Sequence, residues 1–209
     1  MTMDTSEEWF EAVQCEGRLI PSVSKFSRKD FVVPAEVVET RWFSWTREER
    51  GKFASAFSQR LDMDDNDERL LDFLMENGET PIWRSIALAV ARHRNRSRAL
   101  GFLSARIAEG ITPVANFYQA LGMLLASECV PVLQAALSRH RHEVDKHPSI
   151  EAWQDRFTYL DYLSCSAALF LITRQEEYRD NLKKMMQHPD QIVSQLAHTV
   201  AATSGLTKA

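Results

Sequence analysis

One short pattern that occurs twice decides the fold: Gly78-Glu79-Thr80-Pro81 and, 32 residues later, Gly110-Ile111-Thr112-Pro113. Glycine commonly follows the end of a helix, and a threonine with a proline suits the start of the next one. Each copy is therefore predicted to end one helix and begin another. A second recurrence places a proline before a capping residue, in His147-Pro148-Ser149 and again in His188-Pro189-Asp190.

Apolar residues between these boundaries recur at three- and four-residue spacing, which is the period of an amphipathic helix. The chain from residue 62 onward is therefore predicted to form four helix pairs. They are 66–77 with 81–93, 96–109 with 114–126, 128–142 with 150–173, and 175–187 with 190–204. Successive pairs begin about 30 to 46 residues apart, a period typical of helical solenoids, whose stacked pairs bury a continuous core.

The first 61 residues differ from the rest and are predicted to form an N-terminal cap of mixed, irregular structure. A helix is expected over 4–15, and Thr46 is expected to cap another helix. Residues 16–45 show no clear period, and a short hairpin is one interpretation of them. The predicted organisation is thus a cap segment, 1–61, and a repeat region, 62–209, in one continuous domain.

Three of the predicted second helices carry a related motif, in which an acid precedes a Val-Arg pair and an alanine follows four residues after the valine. The three versions are Asp190-x-x-Val193-x-x-x-Ala197, Trp83-Arg84-x-x-Ala87 and Leu163-x-x-x-Ala167. Ser194 replaces the arginine in the first, Thr80 stands at the acid's position in the second, and the pair at 96–126 departs from the motif. Residues 62–205 in this way resemble HEAT repeats. The resemblance implies an all-α, HEAT-like α-α superhelix of about four helix pairs that binds other macromolecules. It identifies no catalytic residue in this chain.

Charge, cysteine content and apolar runs disfavour several classes of function. The formal net charge is −4, which is not the broad basic footprint of a nucleic-acid-binding domain. The three cysteines, Cys15, Cys129 and Cys165, are odd in number and far apart, so we expect free thiols in a reducing compartment. The N-terminus lacks the basic and apolar start of a signal peptide, and no apolar run approaches the ~20 residues of a membrane span. We therefore expect a soluble, cytoplasmic protein.

The residues with catalytic or metal-binding chemistry do not form a recognisable site. The acidic run Asp62–Glu68 lacks the glycine and glutamate that a calcium loop needs at positions six and twelve. Three histidines close together in sequence miss the spacing of a zinc site; they are His140, His142 and His147. No nucleophile elbow, phosphate-binding loop or dinucleotide fingerprint occurs. We expect a protein that is not an enzyme and has no cofactor or metal.

The strongest functional signal is a cluster of arginines. Residues 80–108 contain six arginines and no acid, whereas residues 62–79 contain eight acids and one arginine. The predicted binding residues are Arg84, Arg92, Arg94, Arg96 and Arg98. A guanidinium group presents a planar fork of donors that suits carboxylates and phosphates. The alternative is internal pairing of Arg84 and Arg106 with acids such as those of residues 62–79, with the arginines of the loop solvated.

These observations favour a non-catalytic, macromolecule-binding helical repeat protein that recognises a protein partner with an acidic surface. Its size is typical of bacterial immunity proteins, which neutralise a toxin, and of adaptor proteins. The alternative is a nucleic-acid-acting protein such as a HEAT-like DNA glycosylase for alkylated bases. A third hypothesis, a small-ligand-binding protein, requires a pocket.

Overall fold

The computed structural model describes residues 34–60, 62–111 and 113–206. Of these residues, 77% are helical and none lies in a strand, so the predicted all-α class is confirmed. The chain forms two compact units, Met1–Arg94 and Asn95–Ala209. The expected division between a cap, 1–61, and a repeat region, 62–209, stays a prediction.

The described part of the first unit consists of four α-helices and one 3-10 turn. They are α1 (Ala35–Arg41), the turn Trp42–Ser44, α2 (Arg47–Phe57), α3 (Asp65–Asn77) and α4 (Thr80–Val90). Helix α3 packs against α1 and α4, and α2 packs against α4. The fully buried ring of Trp42 lies among the rings of Trp45, Phe53 and Phe73, so aromatic packing holds the turn against the helices.

Local sequence explains most of the boundaries in this unit. Thr46 accepts from the backbone of Glu49, whose carboxylate in turn accepts from the backbone of Thr46, which confirms the predicted cap as a capping box. Thr80 is not a cap, because α4 already begins at Thr80 and Glu79 precedes it. The hairpin interpretation of 16–45 is wrong over its described part, since α1 and the 3-10 turn occupy residues 35–44. The helix expected at 4–15 lies outside the described residues.

The second unit contains three consecutive helix pairs. They are α5 (Arg96–Ala108) with α6 (Ala115–Met123), α7 (Val130–Lys146) with α8 (Trp153–Thr173), and α9 (Glu176–Met186) with α10 (Gln191–Thr203). A 3-10 turn, Ser127–Cys129, precedes α7. All eight helix starts predicted beyond residue 62 lie within three residues of the observed ones, and seven of them lie within the one or two residues by which helix assignments commonly differ.

Helix α8 is the centre of the second unit, and it packs against α6, α7, α9 and α10. Leu163, Ala167 and Phe170 are buried, whereas Leu160 is half-buried. A helix with neighbours on most sides must be apolar on most sides, which is why residues 165–172 contain a single polar side chain, that of Ser166.

No helix in the described part of the chain combines the length and the apolar character that crossing a membrane requires.

Candidate functional site

The predicted arginine cluster is divided between the two units. Arg84 is half-buried on α4, and Arg92 and Arg94 follow that helix. Arg96 and Arg98 lie in the first turn of α5, in the second unit. Each unit is therefore described separately.

Arg92 is held by the backbone. Its Nη1 donates to the carbonyl oxygen of Arg60 at 2.8 Å, and the side chain is half-buried. This bond supplies a donor to the carbonyl of Arg60, which lies in the turn that follows α2. Buried or half-buried backbone acceptors need such a donor. Arg92 thus has a structural partner in the first unit.

Arg94 is exposed and meets the acidic segment of α3. Its guanidinium group forms an ion pair with Asp65, and its Nε lies 3.9 Å from Oε1 of Glu68. The hydrogen bond that Arg94 donates to Asp65 raises the pKa of Arg94. Its side chain is 61% exposed and that of Asp65 is 92% exposed, so water competes strongly with the pair.

Arg96 and Arg98 occupy the start of α5. Nη1 of Arg96 donates to the carbonyl oxygen of Leu124 at 2.6 Å, and Nη2 lies 3.5 Å from Oε1 of Glu128. The backbone N–H of Arg98 donates to Oδ1 of Asn95, which caps the helix. The loop arginines Arg94 and Arg96 are therefore ion-paired and not merely solvated.

Arg106 forms an ion pair close to it in the sequence. Its Nη2 lies 2.9 Å from Oε1 of Glu109, three residues on, and its guanidinium group lies 5.7 Å from the ring centre of Phe102. A pair at this spacing forms on one helix surface. The expectation that Arg106 would reach an acid of a neighbouring helix finds no support in this contact.

His93 lies between two carboxylates of α3. Its Nδ1 is 3.4 Å from Oε2 of Glu68, and its Nε2 is 3.0 Å from Oδ1 of Asp72. Glu68 and Asp72 are four residues apart and therefore share one face of the helix. Because the two carboxylates meet opposite ring nitrogens, the three side chains do not converge on one point where an ion could bind.

The first unit also buries an ion pair that no sequence pattern predicts. Nε of Arg60 lies 2.8 Å from Oδ2 of Asp67, and the two side chains are 7% and 1% exposed. Burial raises the pKa of Asp67, although the charge of Arg60 opposes this shift. The acidic run 62–68 is therefore part core and part helix cap, because Asp64 accepts from the backbone of Asp67 at the start of α3.

The second unit buries a pair of titratable side chains. The hydroxyl of Tyr118 and Nε2 of His140 are 2.6 Å apart, and burial lowers the pKa of His140 to about 4. The neighbouring Cys165 is fully buried, its Sγ donates to the carbonyl of Leu133, and burial raises the pKa of its thiol. A thiol that stays protonated is a poor nucleophile, so Cys165 has the properties of a structural residue.

Neither the described side chains nor the comparisons with known proteins point to a metal ion or a family. Within residues 34–60, 62–111 and 113–206, no cluster of three or more His, Cys, Asp or Glu side chains is arranged to hold a metal ion. No protein-family model, curated protein or solved structure matches this chain. The chemistry of the side chains described above is therefore the basis for a functional assignment.

Proposed function

We propose that this protein is a non-catalytic binding protein whose arginines contact the carboxylates of an acidic protein partner. The contacts come from the predicted residues Arg84, Arg92, Arg94, Arg96 and Arg98. Arg94 in the first unit and Arg96 in the second are the principal ones, because their side chains are 61% and 47% exposed.

The observation that carries this proposal is that the ion pairs of Arg94 with Asp65 and of Arg96 with Glu128 are both exposed to water. An exposed pair between arginine and a carboxylate stabilises a protein by about 0–1 kcal/mol. A partner that supplies its own carboxylates can therefore displace Asp65 from Arg94 or Glu128 from Arg96 at small cost. A guanidinium–carboxylate contact that becomes desolvated in an interface is stronger than one that faces water.

We infer in addition that the second unit is a HEAT-like superhelix. Its three helix pairs are consecutive in the chain, the second helices α6 and α10 both pack on α8, and the first helices α5 and α7 contact each other. This order of contacts is the one expected of stacked helix pairs, which bury one continuous core.

An immunity or adaptor role in the cytoplasm is the specific form of the proposal. Such proteins act by occupying a surface of their partner and need no catalytic residues. Cys129 and Cys165 are free, buried thiols, a state that suits a reducing compartment.

The test is capture of the partner from the native host with the tagged protein, followed by measurement of the affinity for the purified partner. The double variant Arg94→Gln/Arg96→Gln removes both exposed charges. Arg69→Gln is the matched control, because Arg69 is 51% exposed and also paired, with Glu36 and Glu39. We expect the double variant to bind at least about tenfold more weakly, since charge-assisted contacts contribute about 1.5–3 kcal/mol each, and the control to bind as the wild type does.

Two results would overturn the proposal. One is a partner that binds the double variant and the wild type with equal affinity. The other is failure to capture any protein while duplex DNA binds at low micromolar concentration with a steep dependence on salt, which would support the nucleic-acid alternative.

A further inference from the structure

A cavity on the second unit lies between three helices. Its volume is about 140 Å³, and the residues that line it lie on one face each of α6, α8 and the C-terminal end of α10. They are Gln119 and Met123, then Ser164, Ala168 and Leu171, then Val200, Thr203 and Ser204. Helices α6 and α8 approach closely beside it, because a Cβ placed on Gly122 would lie 3.3 Å from Cα of Ala168.

One hydroxyl group that lines the cavity has no hydrogen-bond partner among the described residues. Ser164 is 8% exposed as a residue, and its Oγ forms no hydrogen bond with any residue that the structure describes. Serines in helices can donate to the carbonyl four residues earlier, as Ser85 and Ser104 do here. Ser164 instead lines the cavity, so its hydroxyl is available to form a hydrogen bond with a molecule that enters.

The lining determines which molecules fit. None of the eight lining residues is ionisable, so a charged group would lose its water without gaining a counter-charge. Met123, Ala168, Leu171 and Val200 supply apolar surface, while Ser164 and Gln119 supply hydrogen-bonding groups. A cavity of about 150 Å³ accommodates benzene in another protein. A single ring with one polar substituent therefore matches this cavity in size.

We propose that this cavity is a binding site for a small uncharged molecule that has an apolar body and one hydrogen-bonding end directed at Ser164. This site is separate from the arginines of the proposed function, since none of them lines the cavity. Its test consequently succeeds or fails independently of the capture of a protein partner.

The experiment is a titration of the full chain with benzamide, followed by amide chemical shifts in NMR spectra. We expect a dissociation constant in the range of about 0.1–5 mM, which is normal for a ligand of this size. The largest shifts are expected at Gly122, Ser164, Ala168 and Thr203. Benzoate and benzylammonium, which have similar shapes and carry a charge, are expected to bind at least about tenfold more weakly.

Substitutions of two serines on α8 distinguish a hydrogen bond between Ser164 and the ligand from the general effect of removing a hydroxyl from this helix. Ser164→Ala is expected to weaken the binding of benzamide about 2- to 10-fold, because one neutral hydrogen bond is lost. The affinity for toluene is expected to stay unchanged. Ser166→Ala is the matched control, because Ser166 is buried, also has no hydrogen-bond partner, and does not line the cavity. Ser164→Leu is expected to fill the cavity and abolish binding of both probes without lowering the melting temperature.

The proposal is wrong if benzamide and toluene cause no shifts in the folded wild type at 10 mM, which is above the expected dissociation range. It is equally wrong if benzoate binds as well as benzamide, or if Ser164→Ala and Ser166→Ala change the affinity for benzamide to the same extent. Should Ser164→Leu fail to fold, the comparison of the two alanine variants decides the matter by itself.

Discussion

The hydroxyl oxygen of Tyr118 lies 2.6 Å from Nε2 of His140, and this bond joins α6 to α7 inside the second unit. The two residues are 1% and 8% exposed. Burial, with a smaller contribution from the charge of Arg139, lowers the pKa of His140 to about 4, and burial raises the pKa of Tyr118. Both groups are therefore neutral at pH 7, and the direction of their hydrogen bond follows the tautomer of the imidazole.

The burial of His140 makes the protein sensitive to acid. The pKa of His140 is about 4 in the folded state and 6.5 in its reference state, so unfolding takes up a proton between these values. The stabilisation is fully present above pH 6.5 and is lost progressively as the pH falls toward 4. At about 1.4 kcal/mol per pKa unit, the loss in the free energy of unfolding approaches about 3 kcal/mol.

The measurement is urea denaturation at pH 7, 5.5 and 4.5 for the wild type and His140→Gln. We expect the difference in unfolding free energy between them to shrink as the pH falls. His142→Gln is the control, because His142 is exposed on the same helix. A difference that stays constant over this range would contradict a depressed pKa at His140.

The first unit offers a comparison of a buried and an exposed ion pair on one helix. Asp67 is 1% exposed and pairs with Arg60, whereas Asp65 is 92% exposed and pairs with Arg94. Asp67→Asn leaves a guanidinium group buried without its counter-charge, so we expect a loss of about 3–5 kcal/mol in the free energy of unfolding. Asp65→Asn is expected to cost less than about 1 kcal/mol. Chemical denaturation of both variants checks the contrast, which equal losses would refute.

The helices could be predicted because their signals are local. Asp190 follows Pro189 and caps α10 by accepting from the backbone of Ile192 and Val193, as its position indicated. Ser149 does not cap α8 in the same way. Helix α8 begins at Trp153, where the carboxylate of Asp155 accepts from the backbone of Ala152. Several capping residues near one boundary compete, and only the folded backbone selects one of them.

The partners of the arginines could not be predicted, because they are distant in the sequence. The acidic segment was a candidate partner, and Asp65 and Glu68 do meet Arg94. Glu128 could not be predicted as the partner of Arg96, since 32 residues separate the two. The cavity could not be predicted from the sequence either. In the sequence, Ser164 is one polar residue in an apolar helix, and only the fold places α6 and α10 beside it.

Two glycines should respond in opposite ways to the same substitution. A Cβ on Gly78 would lie 2.5 Å from the carbonyl oxygen of Leu74, whereas a Cβ on Gly101 meets nothing within 4 Å. Gly78→Ala is therefore expected to destabilise the protein by about 1–3 kcal/mol through steric overlap. Gly101→Ala, on the exposed surface of α5, is expected to stabilise it by about 0.5–1 kcal/mol, because alanine favours the helix. Melting temperatures that move in the same direction for both variants would contradict this account.

The two ends of α8 provide the last prediction. Phe170 is 8% exposed, and the guanidinium groups of Arg174 and Arg179 lie 6.0 and 5.7 Å from its ring centre. Phe170→Ala is expected to cost about 3–5 kcal/mol, because it removes buried apolar area and leaves a cavity. Trp153 is larger but 68% exposed at the start of the same helix, so Trp153→Ala is expected to cost less than about 1 kcal/mol. Denaturation by guanidinium chloride measures both losses. If the loss for Phe170→Ala were below about 1 kcal/mol, the position would behave as a surface site, and α8 could not be the central helix of its unit.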